Sequence, residues 1–319
     1  MSALQQMWLG RGGAAGGAPG LWSWGQGTYG QLGLGNTTRY SSPVQVGALT
    51  PWSKVAGGTY FSLSVKTDGT LWSWGDNAVG QLGLGNITNY SSPKQVGALT
   101  TWATVAGGYQ HSLAVKTDGT LWSWGRNNLG QLGLGHITVR SSPTQVGALT
   151  AWSTVSAGEE FSLATKTDGT LWSWGANSAG QLGLGNVTNY SSPKQVGALT
   201  TWSTVAAGRF QTLAVKTDGT LWSWGGNGFG QLGLGNTTSY SSPKQVGALT
   251  TWSKVAGGTY FSLSVKTDGT LWSWGRNNQG QLGQGLVVGS NRSSPVQVGA
   301  LTTWSTVAAG SAFSLAIQT

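Results

Sequence analysis

From Trp52 to Val96 the chain runs in short stretches of alternating apolar and polar residues, separated by glycine-rich breaks. Successive side chains on a strand point to opposite faces, so this period predicts β-strands and no helix. The first predicted strand is Trp52–Ala56 and the second is Phe61–Lys66. Asp68-Gly69 follows, and because such a pair tolerates positive φ it predicts a type I′ hairpin into a third strand, Thr70–Trp74. A glycine-rich excursion over residues 75–92 leads to a short fourth strand at residues 93–96, whose leading proline suits an outer edge. The small side chains of Val-Ala-Gly-Gly or Val-Ala-Ala-Gly place the first strand innermost, where strands converge. Trp72 and Trp74 share one face of the third strand and are expected to pack between neighbouring sheets.

This pattern recurs. The segment LWSWG starts at Leu21, Leu71, Leu121, Leu171, Leu221 and Leu271, a constant period of fifty residues that demands a repeat architecture. Four meandering strands per unit predict an all-β fold, a six-bladed β-propeller of four-stranded blades. The repeat is entered inside a third strand and left after a second strand. Leu21–Val46 is therefore expected to join Trp304–Ile317 in a composite blade that closes the ring from both termini. Residues 21–319 then make one propeller domain, and residues 1–20 a glycine-rich anchor or tether. In that tether Leu4, Met7, Trp8 and Leu9 are the apolar groups expected to fasten the ring to a second copy or to a larger assembly. The alternative is a tail folded onto its own propeller.

Composition narrows the partners more than the fold. Gly accounts for 54 of 319 residues and Trp for 19, as suits strands and tight turns, while charged residues are only 8%. Cysteine is absent, so disulfides and thiolate metal sites are excluded. No apolar run reads as a membrane span, and MSALQQMWLGRGG lacks the basic-then-apolar order of a secretory signal. The net charge of +9 survives because the Lys-Thr-Asp turns cancel internally, leaving five lysines and seven arginines against Asp76, Glu159 and Glu160. An anionic glycan or an acidic protein surface fits that balance. Nucleic acid does not, since no continuous basic stripe is interleaved with stacking aromatics.

GQLGLG, WSWG with a following Asn, Val-Ala-Ala-Gly with Ser-Leu-Ala-Val, and Asp-Gly together resemble the repeats of the regulator of chromosome condensation family, over residues 21–319. The resemblance implies a β-propeller, commonly of seven blades, which leaves six as a departure. It implies no single activity, because that family spans an exchange factor for a small GTPase, ubiquitin-ligase scaffolds, a photoreceptor and a β-lactamase inhibitor. An exchange factor's protruding wedge has no counterpart in units of such even length. Nor do Thr59-Tyr60-Phe61 and its equivalents carry the photoreceptor's Trp-Arg motif. The Trp-rich repeats also resemble those of proteins from aquatic bacteria and their phages.

Catalytic chemistry is not legible. His111 and His136 are the only histidines, and two imidazoles without a nearby carboxylate make a poor metal site. Glu159 and Glu160 are adjacent in a loop, not set at an acid/base separation. No catalytic residue, metal or cofactor is expected. What varies between copies is more telling, because the variable positions cluster in the connection between strands one and two and in the one between strands three and four. In a four-stranded meander these emerge on the same side. The opposite side repeats Lys-Thr-Asp-Gly and Gly-Ala-Leu-Thr without change. The candidate binding residues are therefore Tyr29, Tyr60, Tyr109, His111, Arg126, Glu159, Glu160, Arg209, Phe210, Phe229, Tyr260 and Arg276, a set rich in recognition side chains. The bland alternative is loops that vary because nothing constrains them. The expected function is a non-catalytic binding propeller in a phage virion or on a cell surface, recognising a protein or glycan. The alternative is a cytoplasmic interaction scaffold of the chromosome-condensation-regulator type.

Overall fold

A computed structural model describes residues 6–11, 19–48, 51–285 and 287–318, with side chains from residue 20 onward. The chain divides into two compact units, Met1–Glu160 and Phe161–Thr319. Every regular element among the described residues is a β-strand.

In the first unit Gln6–Arg11, Pro19–Gly25 and Tyr40–Gln45 form a three-stranded sheet. Two four-stranded sheets follow: Trp52–Gly57, Phe61–Lys66, Leu71–Gly75 and Tyr90–Gln95, then Trp102–Gly107, His111–Lys116, Leu121–Gly125 and Arg140–Gln145. The strand Trp152–Ala157 ends that unit. The second unit opens with Phe161–Lys166, Leu171–Gly175 and Tyr190–Gln195, paired in that order. Its two complete sheets are Trp202–Ala207, Gln211–Lys216, Leu221–Gly225 and Tyr240–Gln245, then Trp252–Gly257, Phe261–Lys266, Leu271–Gly275 and Arg292–Gln297. Trp304–Ala309 pairs with Ser314–Gln318. All pairs are antiparallel and follow chain order, which makes each sheet a propeller blade. Counted as blades, the sheets amount to six or seven.

The turn between second and third strands differs from the expected type I′. Asp68 keeps a negative φ and only Gly69 is left-handed, at φ +77°. Gly69 N–H donates to the Lys66 carbonyl at 3.0 Å, and Lys66 N–H donates to the Thr70 carbonyl at 3.0 Å. The result is a type I turn closed by a glycine bulge, a three-residue hairpin loop. Asp68 prefers this form because its Oδ1 accepts from both the amide and the hydroxyl of Thr70, at 2.9 and 2.6 Å. The fourth strand also starts earlier than its proline, at Tyr90, after a bulge between Ser73 and Gly75.

The paired tryptophans do pack between sheets. Trp74, fully buried, joins Leu21 and Val46 of the preceding sheet and Trp52 of its own in one cluster, with Trp72 at its margin. Trp52 meets Trp72 and Trp74 edge-on, with ring centroids 6.3 and 6.0 Å apart, a favoured aromatic geometry. A polar staple accompanies this packing. The carbonyl of Gln81, in the GQLGLG loop, accepts from Trp124 Nε1 at 2.9 Å and from Ser112 Oγ at 2.7 Å, both on the next sheet. Gln31 serves Trp74 and Ser62 in the same way, and in the second unit Gln181 serves Trp224 and Thr212, and Gln231 serves Trp274 and Ser262. Buried donors and acceptors need partners, so in these four repeats one loop carbonyl ties a sheet to its successor. Gly83 lets the loop come this close: a Cβ there would stand 2.8 Å from Trp124 Nε1.

The expected composite blade is replaced, among the described residues, by a more local pairing. Gln6–Arg11 lies against Pro19–Gly25 with Trp8 opposite Trp22 and Leu9 opposite Leu21. Those are the register positions that Ser64 and Val65 occupy opposite Trp72 and Leu71. The N-terminal segment thus takes the place expected for Ser314–Gln318. A hairpin neighbour closes a loop of a few residues, whereas the C-terminal strand requires closure over nearly the whole chain. Met7, Trp8 and Leu9 of the expected anchor lie on this strand, and Leu4 lies outside the described residues.

Candidate functional site

The two variable connections meet at one end of each blade. Asp76 N–H donates to the Tyr60 carbonyl at 2.9 Å and Arg126 N–H to the Gln110 carbonyl at 2.8 Å. In the second unit Gly226 does the same to Phe210, and Arg276 to Tyr260. Adjacent blades are joined there too, since Thr59 N–H donates to the Gly108 carbonyl and Tyr109 N–H to the Glu159 carbonyl. The longer connection is held from within by its asparagine. Asn77 Nδ2 donates to the carbonyls of Asn86 and Thr88, and its Oδ1 accepts from Leu82 N–H. A fixed polar pin under a loop allows the flanking residues to vary without loss of shape.

In the first unit Tyr29 and Tyr60 rings lie 4.7 Å apart. Burial raises the Tyr60 phenol above its ordinary pKa, with Tyr29, Tyr109 and Asp76 adding to the effect. Arg126 lies over the Tyr109 ring, its Cζ 5.8 Å from the centroid. Its Nε donates to Asn128 Oδ1 at 2.9 Å, Nη1 to Gln110 Oε1 at 3.1 Å, and Nη2 lies 3.6 Å from Glu160. Sequence reasoning overlooked Gln110 and Asn128, whose only signal was to vary along with Arg126. It also left out Asp76, which is buried and accepts from Gln81 Nε2 at 2.7 Å.

His111 is a correction. It is fully buried at the head of the second strand, where Phe61, Phe161 and Phe261 stand in other copies, with its ring packed tightly on Gly108. Strand alternation points position 111 inward with Leu113 and Val115, so it belongs to the core and not to the surface set. His136 instead fills the place of Asn36 and Asn86, accepting from Thr138 N–H. Among the described residues no three of His, Asp or Glu gather where they could hold a metal ion.

The second unit gathers four candidates around the ring of a fifth, Tyr260. Phe229 and Tyr260 lie 4.9 Å apart, with Phe210 6.3 Å from Tyr260. Arg209 Nη1 donates to Tyr260 Oη at 2.9 Å, and its Cζ stands 4.9 Å from the Phe210 ring. Arg276 Cζ stands 4.9 Å from Phe229 and 5.5 Å from Tyr260. All five side chains are half-buried. Residues 161–319 carry nine Lys and Arg against three aspartates, a net of +6. Those aspartates sit in the Thr-Asp-Gly turns at the other end of the strands.

A staple-linked meander of this kind, with a constant turn side and a varied loop side, defines a β-propeller with a candidate recognition face. The RCC1-like domain family matches residues 15–203, and the regulator of chromosome condensation (RCC1) repeat matches residues 218–265 and 268–317. The chain belongs to the RCC1-like family. Human WBSCR16 shares the fold with a TM-score of 0.83 at 24% identity, over 94% of this chain and 81% of that one. Yeast RCC1 (Prp20), solved bound to Kap60, gives 0.83 at 23% identity, over 99% and 78%. Prp20p from Saccharomyces cerevisiae, described with its binding to Gsp1p and histones, gives 0.69 at 20% identity, over 97% and 92%. No helix among the described residues is long and apolar enough to cross a membrane.

Proposed function

We propose that this chain is a non-catalytic protein-interaction scaffold whose recognition surface is the loop side of its blades. The observation that carries this reading is the convergence of the variable residues. Tyr, Phe and Arg from both connections come together in clusters, while the turn side repeats one Asp–Thr hydrogen-bonded hairpin. Drift alone gives no reason for variable positions to assemble Arg-on-aromatic contacts, the side chains that dominate protein interfaces. The yeast relatives, solved with or described as binding proteins, support the same class of role. Service in a virion or as a surface adhesin is a narrower form of this reading, in which the partner is a surface receptor.

Selection of a displayed random peptide library on the whole chain tests it. Selected peptides should lose binding when Tyr109, Arg126, Arg209 and Phe229 are together replaced by serine, and keep it when Lys66, Lys116, Lys216 and Lys266 are replaced by glutamine. Peptides indifferent to the loop variant, or sensitive only to the turn-side variant, would refute the proposal.

A further inference from the structure

We infer that the cluster of Arg209, Phe210, Phe229, Tyr260 and Arg276 is a docking site for a carboxylate-rich peptide segment of a partner protein. This rests on the loop-side reading above and adds the chemistry of the partner. Arg126 of the first unit and Arg276 of the second are held in opposite ways. In the first, Arg126 is already satisfied by Gln110, Asn128 and Glu160. In the second, every side-chain carboxylate belongs to Asp168, Asp218 or Asp268, each accepting from the threonine two residues on, at the far end of the strands. No side-chain carboxylate of that unit stands on the loop side.

The guanidinium of Arg276 accordingly has ring contacts and no hydrogen-bond or ion-pair partner among the described residues. Contact with Phe229 and Tyr260 uses the guanidinium's own surface, and its N–H donors are left for an incoming acceptor. A fork of this kind matches a carboxylate with two parallel bonds, and neighbouring rings keep water away from them. Arg209, oriented by its bond to Tyr260 Oη, adds a second cation beside the same ring. Phe210 and Phe229 offer apolar surface beside the cations, which suits acidic residues interspersed with aliphatic or aromatic ones.

The unit's lysines do not extend this into a polyanion track. Lys166, Lys216 and Lys266 lie over Trp172, Trp222 and Trp272, and Lys194 and Lys244 over Tyr190 and Tyr240, so five of the six are committed to rings outside the cluster. A nucleic acid or a sulfated glycan places charge at regular intervals along its length and needs such a track. A two-cation site with aromatic walls reads a short acidic peptide.

The test uses the whole chain and fluorescence anisotropy with a labelled peptide of repeated Glu-Glu-Leu, beside a matched Gln-Gln-Leu peptide. The Glu peptide should bind at least tenfold more tightly than the Gln peptide. Arg276→Gln should weaken it about tenfold, one charge-assisted bidentate contact. Arg276→Lys should restore only part, because an ammonium lacks the planar fork. Lys66→Gln, which removes one positive charge on the turn side, should change nothing. Equal binding of the two peptides, or an Arg276→Gln variant that melts normally and binds normally, overturns the inference. So does oligothymidylate or a heparin hexasaccharide that competes better than the Glu peptide itself. If library-selected peptides depend on the loop side yet are not acidic, this inference falls and the scaffold reading stands. If nothing depends on the loop side, both fall.

Discussion

The staple at Gln81 gives a prediction in which two small changes together cost more than their sum. Its carbonyl is buried and accepts from two donors on the next sheet, Trp124 Nε1 and Ser112 Oγ. Ser112→Ala removes one donor and leaves the other, so it should cost about 1 kcal/mol, an ordinary buried hydrogen bond. Trp124→Phe also leaves one donor but opens a void beside Gly83, and should cost about 2–3 kcal/mol. In the double variant the carbonyl has no side-chain partner, and the desolvation penalty of an orphaned acceptor adds about 1–3 kcal/mol to the sum of the singles. Each kcal/mol corresponds to a fall of roughly 2–4 °C in melting temperature for a large domain. Urea unfolding followed by far-ultraviolet circular dichroism, on the four proteins of the cycle, reads the coupling directly. Additivity within about 0.5 kcal/mol would show that the carbonyl is satisfied in some other way, and would refute the staple.

Three other perturbations separate local causes. Gly83→Ala should destabilise by more than Gly147→Ala in thermal melts: both glycines are left-handed, at φ +74° and +61°, but only Gly83 also faces a ring. The left-handed strain alone costs about 1–2 kcal/mol, which is the expectation for Gly147. Asp68, Asp118, Asp168, Asp218 and Asp268 have pKa values lowered by the hydroxyl and amide of the threonine two residues on, the hydroxyl leading except at Asp168, where the amide leads. A carboxylate whose folded pKa is depressed stabilises the fold above its unfolded pKa and loses that as pH falls through the folded value. The melting temperature should therefore hold from pH 7 to about 5 and fall below about pH 4; a flat profile to pH 3 would contradict it. Glu160→Gln should change stability by less than about 0.5 kcal/mol in urea titration, because the ion pair is partly solvated and Arg126 keeps Gln110 and Asn128.

Much of the architecture was open to reading because it is periodic. Strand positions followed from alternation, the tryptophans' place between sheets from their shared face, and the meeting of the two variable connections from the order of a meander. The misreadings arose where a residue's role depends on a neighbour that the period does not name. Asp-Gly suggested a type I′ turn, but a hydrogen bond from Thr70 to Asp68 settles a type I turn with a bulge. His111 varies between copies like a loop residue, yet it stands one step inside the strand and is buried in a phenylalanine's place. Gln110 and Asn128 joined the site only because Arg126 reaches them.

The repeated sequence by itself therefore determined the strand order, the blade unit and the side on which variation falls, since these depend on spacing, alternation and turn chemistry within about fifty residues. Tertiary structure decided the rest. It alone set which carbonyl takes two donors, which arginine is neutralised and which keeps a free rim, and which strand lies beside Pro19–Gly25. The physical reason is that hydrogen bonds, ion pairs and ring contacts depend on distances of a few ångströms between residues far apart in the chain. A fifty-residue period specifies the backbone that brings them near, and the individual side chains settle what happens there.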